Sequence, residues 1–313
     1  MRACRVWAYD GEGERIMATE TSNIPALEFR HVWFSFDEKQ VLKDVSFKLQ
    51  PGEMIFITGE SGSGKSVLLR LAMALDHPDS GQILIEGQDV GPLDEIELLK
   101  LRGNRMGIVF QEDSLFTGMS VFENVAYRLN ERGVDEAEVE KQAMEALRFV
   151  GLDQDAERLP LELSGGMRRR LEFARALIGW PSIMLFDEPA SGLDPLTADQ
   201  VLDLIIRARD LYGISSLYVT KKLDEIPYLA RHRANRTDVG IAVEEVTEAD
   251  APKTRLMVLD GGRIIFTGSI SEFEDSSLPA VVRLTHAENG TVLSDFVTSD
   301  PWDKRRRPRD QIL

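Results

Sequence analysis

The sequence predicts an α/β fold whose central strands are parallel, with an antiparallel β edge and a small α-helical subdomain. Three observations predict it. The apolar run Met54-Ile55-Phe56-Ile57-Thr58 reads as a buried strand, and after a glycine-rich turn Lys65 to Ala74 reads as a helix. A second apolar run, Ile183-Met184-Leu185-Phe186, ends in Asp187-Glu188, as a central parallel strand does when it carries carboxylates to the C-terminal edge of a sheet. Between them, from about residue 112 to 163, the period becomes helical: Val121 to Leu129 is amphipathic, and Val139, Ala143, Ala146, Leu147 and Val150 share one helix face.

The elements follow in order. Residues 1–24 are polar with little periodic pattern and are expected to be weakly ordered; the clear fold signal begins near Leu27, which leaves Met17 as an alternative start. Residues 27–111 supply edge strands, the glycine turn and a strand, Met106 to Phe110, that ends at Gln111. The helical subdomain covers about 112–165, and Leu163-Ser164-Gly165-Gly166-Met167 opens a helix running from Arg168 through Leu177. A strand spans Ile214 to Thr220, a helix Leu223 to Arg231, and another strand Leu256 to Leu259. Beyond residue 268 a C-terminal extension has helical stretches at Ile270 to Phe273 and Leu278 to Leu284, then the basic run Lys304-Arg305-Arg306-Arg307-Pro308-Arg309.

The turn Gly59-Glu60-Ser61-Gly62-Ser63-Gly64-Lys65-Ser66, bounded by strand and helix, is a phosphate site. Glycines at 59, 62 and 64 let backbone N–H groups curl around phosphates, Lys65 supplies a point charge, and the Ser66 hydroxyl is a ligand for Mg²⁺. A flexible Gly/Ser loop is the competing explanation, but the full spacing in that context is far more specific than a lone glycine pattern. Asp187 is placed to hold Mg²⁺, and Glu188 to orient and polarise an attacking water. Two acids at a strand end can also be merely solvated or cap a helix; the loop upstream argues against that. Ser164, Gly165 and Gly166 sit at a helix N-terminus, where the dipole favours an anion.

In fixed order, these three segments resemble the ATP-binding cassette (ABC) family, over roughly Leu27 to Gly268. Gln111 matches the family's Gln-loop residue, which contacts Mg²⁺ and senses the γ-phosphate. Phe36 resembles the aromatic that stacks on adenine, ahead of Val41-Leu42-Lys43-Asp44-Val45-Ser46, and Ser191-Gly192-Leu193-Asp194 resembles the loop that crosses the dimer interface. The resemblance implies an ATP site lined by Phe36, Val41, Gly59, Glu60, Ser61, Gly62, Ser63, Gly64, Lys65, Ser66 and Val67 of one copy and by Ser164, Gly165 and Gly166 of another. Mg²⁺ would be held by Ser66, Gln111 and Asp187, and catalysis carried by Glu188, Lys65 and Gln111; Lys221 is a further catalytic candidate, as a stand-in charge. Because each motif occurs once, the expected partners are a second copy of the chain, related by a two-fold axis, and an integral membrane permease.

One position departs from the family. After the strand Ile214 to Thr220 the family normally places a histidine that contacts the γ-phosphate, and here stand Lys221 and Lys222. The histidines are His31, His77, His232 and His286, none of them at this place. A lysine brings a fixed charge but not a neutral imidazole's paired donor and acceptor. Three outcomes are open: Lys221 is a stand-in charge, hydrolysis is slow and the dimer is a long-lived clamp, or Lys221 points into solvent.

With 37 basic against 53 acidic side chains the net charge is −16, which argues against a nucleic-acid partner and for a cytoplasmic protein. No apolar stretch approaches the ~18–20 residues of a membrane span. The N-terminus lacks a signal peptide's apolar core, and a single cysteine, Cys4, fits a reducing compartment. Together with the permease that the ABC resemblance implies, the expected place is the cytoplasmic face of the inner membrane, as a peripheral subunit.

The stretch Asp113 to Tyr127, with Leu115-Phe116-Thr117 and Val121-Phe122-Glu123-Asn124-Val125-Ala126-Tyr127, is similar to the MlaF/Mce-type lipid-transport ATPases. That resemblance implies lipid transport coupled to ATP hydrolysis; any cassette packing apolar residues here is the plainer account. A slow nucleotide-dependent clamp is the alternative function. Residues about 232–255 form an insertion: Gly240 to Val246 reads as an added strand, a flexible loop or a site for an accessory regulatory subunit. The basic tail has three readings: contact with anionic head groups or a partner subunit, a solubilising end, or, by the same resemblance, a grip on the neighbouring ATPase.

Overall fold

The computed structural model describes residues 6–9, 15–18, 24–238 and 240–287. In the leading segment, expected to be weakly ordered, β1 (Val6–Tyr9) and β2 (Arg15–Ala18) pair as an antiparallel hairpin. Next come β3 (Leu27–Phe36), β4 (Lys39–Leu49), β5 (Met54–Thr58), α1 (Lys65–Ala72), β6 (Ser80–Ile85) and β7 (Gln88–Asp89). Strands β4, β3, β6 and β7 lie side by side, all antiparallel, and form the expected edge.

Then follow α2 (Glu95–Arg105), β8 (Met106–Val109), α3 (Val121–Glu131), α4 (Glu136–Val150) and α5 (Gly165–Leu177). Their ends are written in the sequence. Ser120 and Glu123 form a reciprocal capping box at the start of α3, and Gly151, at φ 68°, ends α4 in the left-handed conformation glycine tolerates. The five residues assigned to one face of α4 are all buried, in one cluster with Val121 and Val125 of α3 and Leu171, Phe173 and Leu177 of α5. Three helices that bury one another's apolar stripes account for the helical subdomain.

The chain returns through β9 (Ile183–Asp187), α6 (Pro195–Tyr212), β10 (Ser215–Val219) and α7 (Glu225–Arg231). A hairpin of β11 (His232–Thr237) and β12 (Gly240–Glu245) precedes β13 (Thr254–Asp260), β14 (Arg263–Gly268), α8 (Ile270–Glu274) and α9 (Pro279–Ala287). The main sheet has the order β14-β13-β5-β10-β9-β8, parallel except where β14 turns back on β13. Alternation divides its strands between two cores. Met54, Phe56, Met184, Phe186, Tyr218, Leu256 and Val258 face the cluster of helices α3 to α6. Ile55, Ile57, Ile183, Leu185, Leu217, Val219, Met257 and Leu259 face α1 and the antiparallel sheet. Burial on both faces is why these strands read as continuous apolar runs, and why their polar chemistry is confined to their C-terminal ends.

The insertion is therefore a strand pair rather than a loop. Arg209 of α6 donates to the carbonyls of Leu229 and His232, each at 2.6 Å, and Asp210 accepts from the amide of Ala234 at 2.8 Å, which fixes the root of the hairpin. The basic run Lys304 to Arg309 lies outside the described residues.

Candidate functional site

The loop between β5 and α1 is shaped by its glycines. Gly59, Gly62 and Gly64 have φ of 149°, 80° and 107°, values L side chains rarely adopt. A Cβ on Gly59 would lie 2.1 Å from the carbonyl oxygen of Leu259, and one on Gly64 2.8 Å from Leu42 Cδ2; at Gly62 the space is open. Helix α1 has no side-chain cap at its N-terminus, so its first N–H groups are left for an anion. The Ser63 hydroxyl is buried with no hydrogen-bond partner among the described residues. Lys65, itself buried, folds its ammonium onto the loop, donating to the carbonyls of Gly59 at 2.6 Å and Glu60 at 2.9 Å. Burial lowers the Lys65 pKa, the nearby charge of Lys221 lowers it further, and Glu188 and Asp187 oppose both.

Parallel pairing of β5, β10 and β9 brings the second set of groups to the same edge. Burial raises the Asp187 carboxyl, against a hydrogen bond with Ser66 that lowers it. Glu188 is held at φ 46°, a left-handed conformation in a non-glycine residue, as strain at functional positions often is. Its amide donates to the Val219 carbonyl at 2.9 Å, and its carbonyl accepts from Ser191 at 3.0 Å. The Glu188 carboxylate faces two donors. Lys221 Nζ stands 2.6 Å from Oε1, and Gln111 Nε2 3.5 Å from Oε2. Lys221 thus meets the Glu188 carboxylate, with its side chain 45% exposed. Lys222 turns the other way, to the Ala190 carbonyl at 3.3 Å. Gln111, a candidate Mg²⁺ ligand, meets Glu188 through its amide nitrogen, which leaves its carbonyl oxygen for a metal.

The other sequence-assigned groups lie around this centre. Phe36, at the end of β3, is 48% exposed and stands edge-on to Phe34, an open ring face for a base. Val41, on β4, is half-buried, and a Cβ on Gly64 would reach its side chain. Glu60 and Ser61 are exposed, and Val67 packs partly into the core beneath the loop. Ser164 caps α5, its hydroxyl accepting from Met167 N at 3.2 Å, and Ser164 and Gly165 are exposed. A Cβ on Gly166 would lie 2.5 Å from Thr197 Cγ2. The contacts of this cap run to its own helix and to α6, which leaves its outer face for another molecule. Asp194 caps α6 through Thr197 N at 3.1 Å.

Sequence reasoning missed the groups that tie these parts together. Arg169 and Glu172, both buried on α5, pair at 2.7 Å. Arg169 also donates to the carbonyls of Phe110 at 2.6 Å and Gln111 at 2.8 Å, and Glu172 accepts from Ser114 N at 2.8 Å. Arg175 bonds the Ser114 carbonyl and covers the Phe116 ring at 4.2 Å. The helix that begins at Ser164 is thereby fastened to the loop that holds Gln111. The signal was present: Arg169 and Glu172 lie three apart beside the apolar stripe of α5, where unpaired charges are not tolerated. A second network holds the Lys221 turn. Tyr218 OH and Thr220 Oγ1 both donate to Glu225 Oε2, at 2.7 and 2.9 Å, and burial raises the Glu225 pKa to about 6.

Comparison with known proteins decides the family. The ABC transporter family model matches residues 42–191. Protein TRIGALACTOSYLDIACYLGLYCEROL 3, chloroplastic, of Arabidopsis thaliana is 37% identical over 263 residues, covering 82% of this chain and 72% of that protein. The chain belongs to the ABC transporter family. Methionine import ATP-binding protein MetN of Corynebacterium jeikeium is 35% identical over 235 residues, covering 75% of this chain and 57% of that protein. The chain thus spans less than two thirds of the length of this relative. Among solved structures, the ATP-binding cassette MJ0796, a dimer bound to ADP and phosphate, superposes with a TM-score of 0.64 at 27% identity, over 78% of this chain and 98% of that one.

An ABC cassette takes ATP with Mg²⁺, and the residues present fit both. The tight glycine cradle and the orphaned Ser63 hydroxyl suit a polyphosphate. Among the described residues no cluster of three or more His, Cys, Asp and Glu side chains gathers to hold a metal. The donor set is instead the Ser66 hydroxyl beside the Asp187 carboxylate, hard oxygens suited to an ion that keeps phosphate and water ligands. Among the described residues no helix of this ABC protein is long and apolar enough to cross a membrane.

Proposed function

We propose that this ABC protein hydrolyses ATP to ADP and phosphate, as a homodimer that drives a separate membrane permease from the cytoplasmic face of the inner membrane. The observation that carries the reading is the convergence of Lys65, Asp187, Glu188 and Lys221 at one sheet edge. ATP would seat its phosphates in the loop Gly59 to Ser66, where the Lys65 ammonium exchanges two carbonyl partners for phosphate oxygens, a stronger charge-assisted contact. Mg²⁺, held by Ser66 and Asp187, would neutralise charge on the β- and γ-phosphates. Glu188 would orient the attacking water, and Lys221 would sit across the carboxylate as a fixed cation facing the same phosphate. The exposed cap at Ser164 would close on nucleotide held by the other copy.

We further propose that the cargo is a lipid. Two observations support this: the segment Asp113 to Tyr127 resembles lipid-transport ATPases, and the Arabidopsis relative, whose name is that of a galactolipid, aligns over more of both chains than the MetN protein does. Methionine import is the second reading, favoured by the MetN relatives. The hairpin β11–β12 is the candidate site for an accessory regulatory subunit.

The test is steady-state ATP hydrolysis by the chain alone and with its copurified permease, beside Glu188→Gln and Lys221→His, followed by reconstitution with labelled phospholipid and labelled methionine. Mg²⁺-dependent turnover that Glu188→Gln abolishes supports the motor. Turnover that stays at the Glu188→Gln level with the permease present, and that only Lys221→His restores, replaces it with a nucleotide clamp. ATP-driven movement of methionine but not phospholipid overturns the lipid assignment.

A further inference from the structure

The phosphate loop contains an acid. Glu60 is the second residue of the stretch Gly59 to Ser66, and its carboxylate lies in the loop that is to hold the several negative charges of a nucleotide. Any phosphate in that loop lies within about one screening length, roughly 8 Å at physiological salt, of a loop side chain. Left alone, the carboxylate repels the ligand.

The C-terminal extension supplies the counter-charge. Helix α9 is anchored by Val281, which is 1% exposed, and by Leu284 packed against the same core cluster. Between them, Arg283 turns outward: its Nε lies 3.1 Å from Glu60 Oε1 and its Nη2 3.4 Å from Asp260 Oδ2. Glu60 lies in the phosphate loop and Asp260 beside it. Asp260 ends β13 next to Leu259, whose carbonyl oxygen stands where a Cβ on Gly59 would be, and the backbone carbonyl of Glu60 is one of the two that hold Lys65. A single arginine thus joins the loop to the neighbouring strand end and offsets part of the negative charge that Glu60 and Asp260 bring.

We propose that Arg283 is a positioning residue for nucleotide binding, which acts through Glu60 by offsetting its charge and tethering the phosphate loop to β13. The inference rests on the reading of that loop as the ATP site, and extends it by making the C-terminal helix a determinant of affinity in the same chain. The residues are half exposed, at 54% and 57% of their side chains, so the effect is modest and salt-dependent.

The experiment is calorimetric titration of the full chain with MgADP, at low and high salt, for the wild type, Arg283→Ala, Arg283→Lys, Glu60→Gln and the double variant Glu60→Gln/Arg283→Ala. Arg283→Ala is expected to weaken binding about two- to fivefold at low salt, less at high salt, with Arg283→Lys recovering most of the loss. In the Glu60→Gln background the loss from Arg283→Ala is expected to be clearly smaller, because only Asp260 is then left for the guanidinium to pair with. Equal affinity of Arg283→Ala and the wild type overturns the proposal. So does an equal loss in both backgrounds, which would make Arg283 a packing residue of α9. A wild-type chain that fails to bind MgADP overturns the reading of the site itself and the proposal with it.

Discussion

Lys221 Nζ lies 2.6 Å from Glu188 Oε1, so the residue standing where ABC cassettes normally carry a histidine is the ion-pair partner of the acid at the end of β9. The pair crosses from the loop after β10 to the end of β9, two strands in parallel register. Its geometry sets the Lys221 ammonium against the Glu188 carboxylate, with the lysine side chain still open to solvent along part of its length.

Lys221→Ala is expected to lower kcat for ATP hydrolysis by about 10²–10³, the usual cost of removing an electrostatic contact to a transferring group. MgADP affinity should move little, because the phosphate that Lys221 would face is the γ-phosphate, which ADP lacks. Parallel turnover and calorimetric measurements separate the two effects; a loss of affinity as large as the loss of kcat would refute this division.

Lys65→Ala removes the one cation of the phosphate loop. Nucleotide affinity should fall about ten- to a hundredfold, the worth of a charge-assisted hydrogen bond. The fold should survive, since the lysine bonds only carbonyls of its own loop. Titration with MgADP beside a far-ultraviolet dichroism spectrum checks both parts.

Gly59→Ala should lower the unfolding midpoint in urea. Its φ of 149° and the 2.1 Å approach to the Leu259 carbonyl leave no room for a methyl group, and the cost should exceed about 1 kcal/mol. Gly118, where a Cβ meets nothing within 4 Å, is the control: Gly118→Ala should be close to neutral.

Glu225 gives a pH dependence. Burial raises its pKa from 4.5 to about 6 in the folded chain, so the folded state binds a proton that the unfolded state has released. Stability attributable to the protonated carboxyl is complete below about pH 4.5 and is lost as pH rises through about 6, by roughly 2 kcal/mol in all. Glu225→Gln keeps an oxygen for Tyr218 and Thr220 and cannot ionise. The wild type should therefore lose stability relative to this variant between pH 5 and 7.5 in urea titrations; a difference that grows in the wild type's favour would contradict the assignment.

Arg169→Ala should cost about 3–5 kcal/mol, because it strands the buried Glu172 carboxylate. It also frees the Gln111 segment from α5. Arg169→Ala/Glu172→Gln should recover much of the stability without restoring the bonds to Phe110 and Gln111, and unfolding curves for the three chains test it.

Much of this was legible in the chain itself. Continuous apolar runs at Met54 and Ile183 marked strands buried on both faces, the spacing from Gly59 to Ser66 marked the phosphate loop, and the five-residue stripe on α4 proved to be its buried face. These are local signals, set by periods of two and 3.6 and by the backbone freedom of glycine. The insertion at 232–255 stayed open because a half-exposed strand with mixed charges has no period strong enough to separate it from a loop; pairing of β11 with β12 against α6 decided it. Arg169 and Glu172 were visible only as helix residues, since their partners lie some 60 positions away at Phe110, Gln111 and Ser114.

By itself the sequence determined that a strand, a glycine turn and a helix would form a phosphate cradle, and that two carboxylates would end a parallel strand, because those outcomes follow from neighbours in the chain. Only the tertiary structure decided where Lys221 points and that Arg283 meets Glu60, 223 positions away. A side chain's charge is written locally, but its partner is set by which strand and helix ends the packed core brings to the same edge.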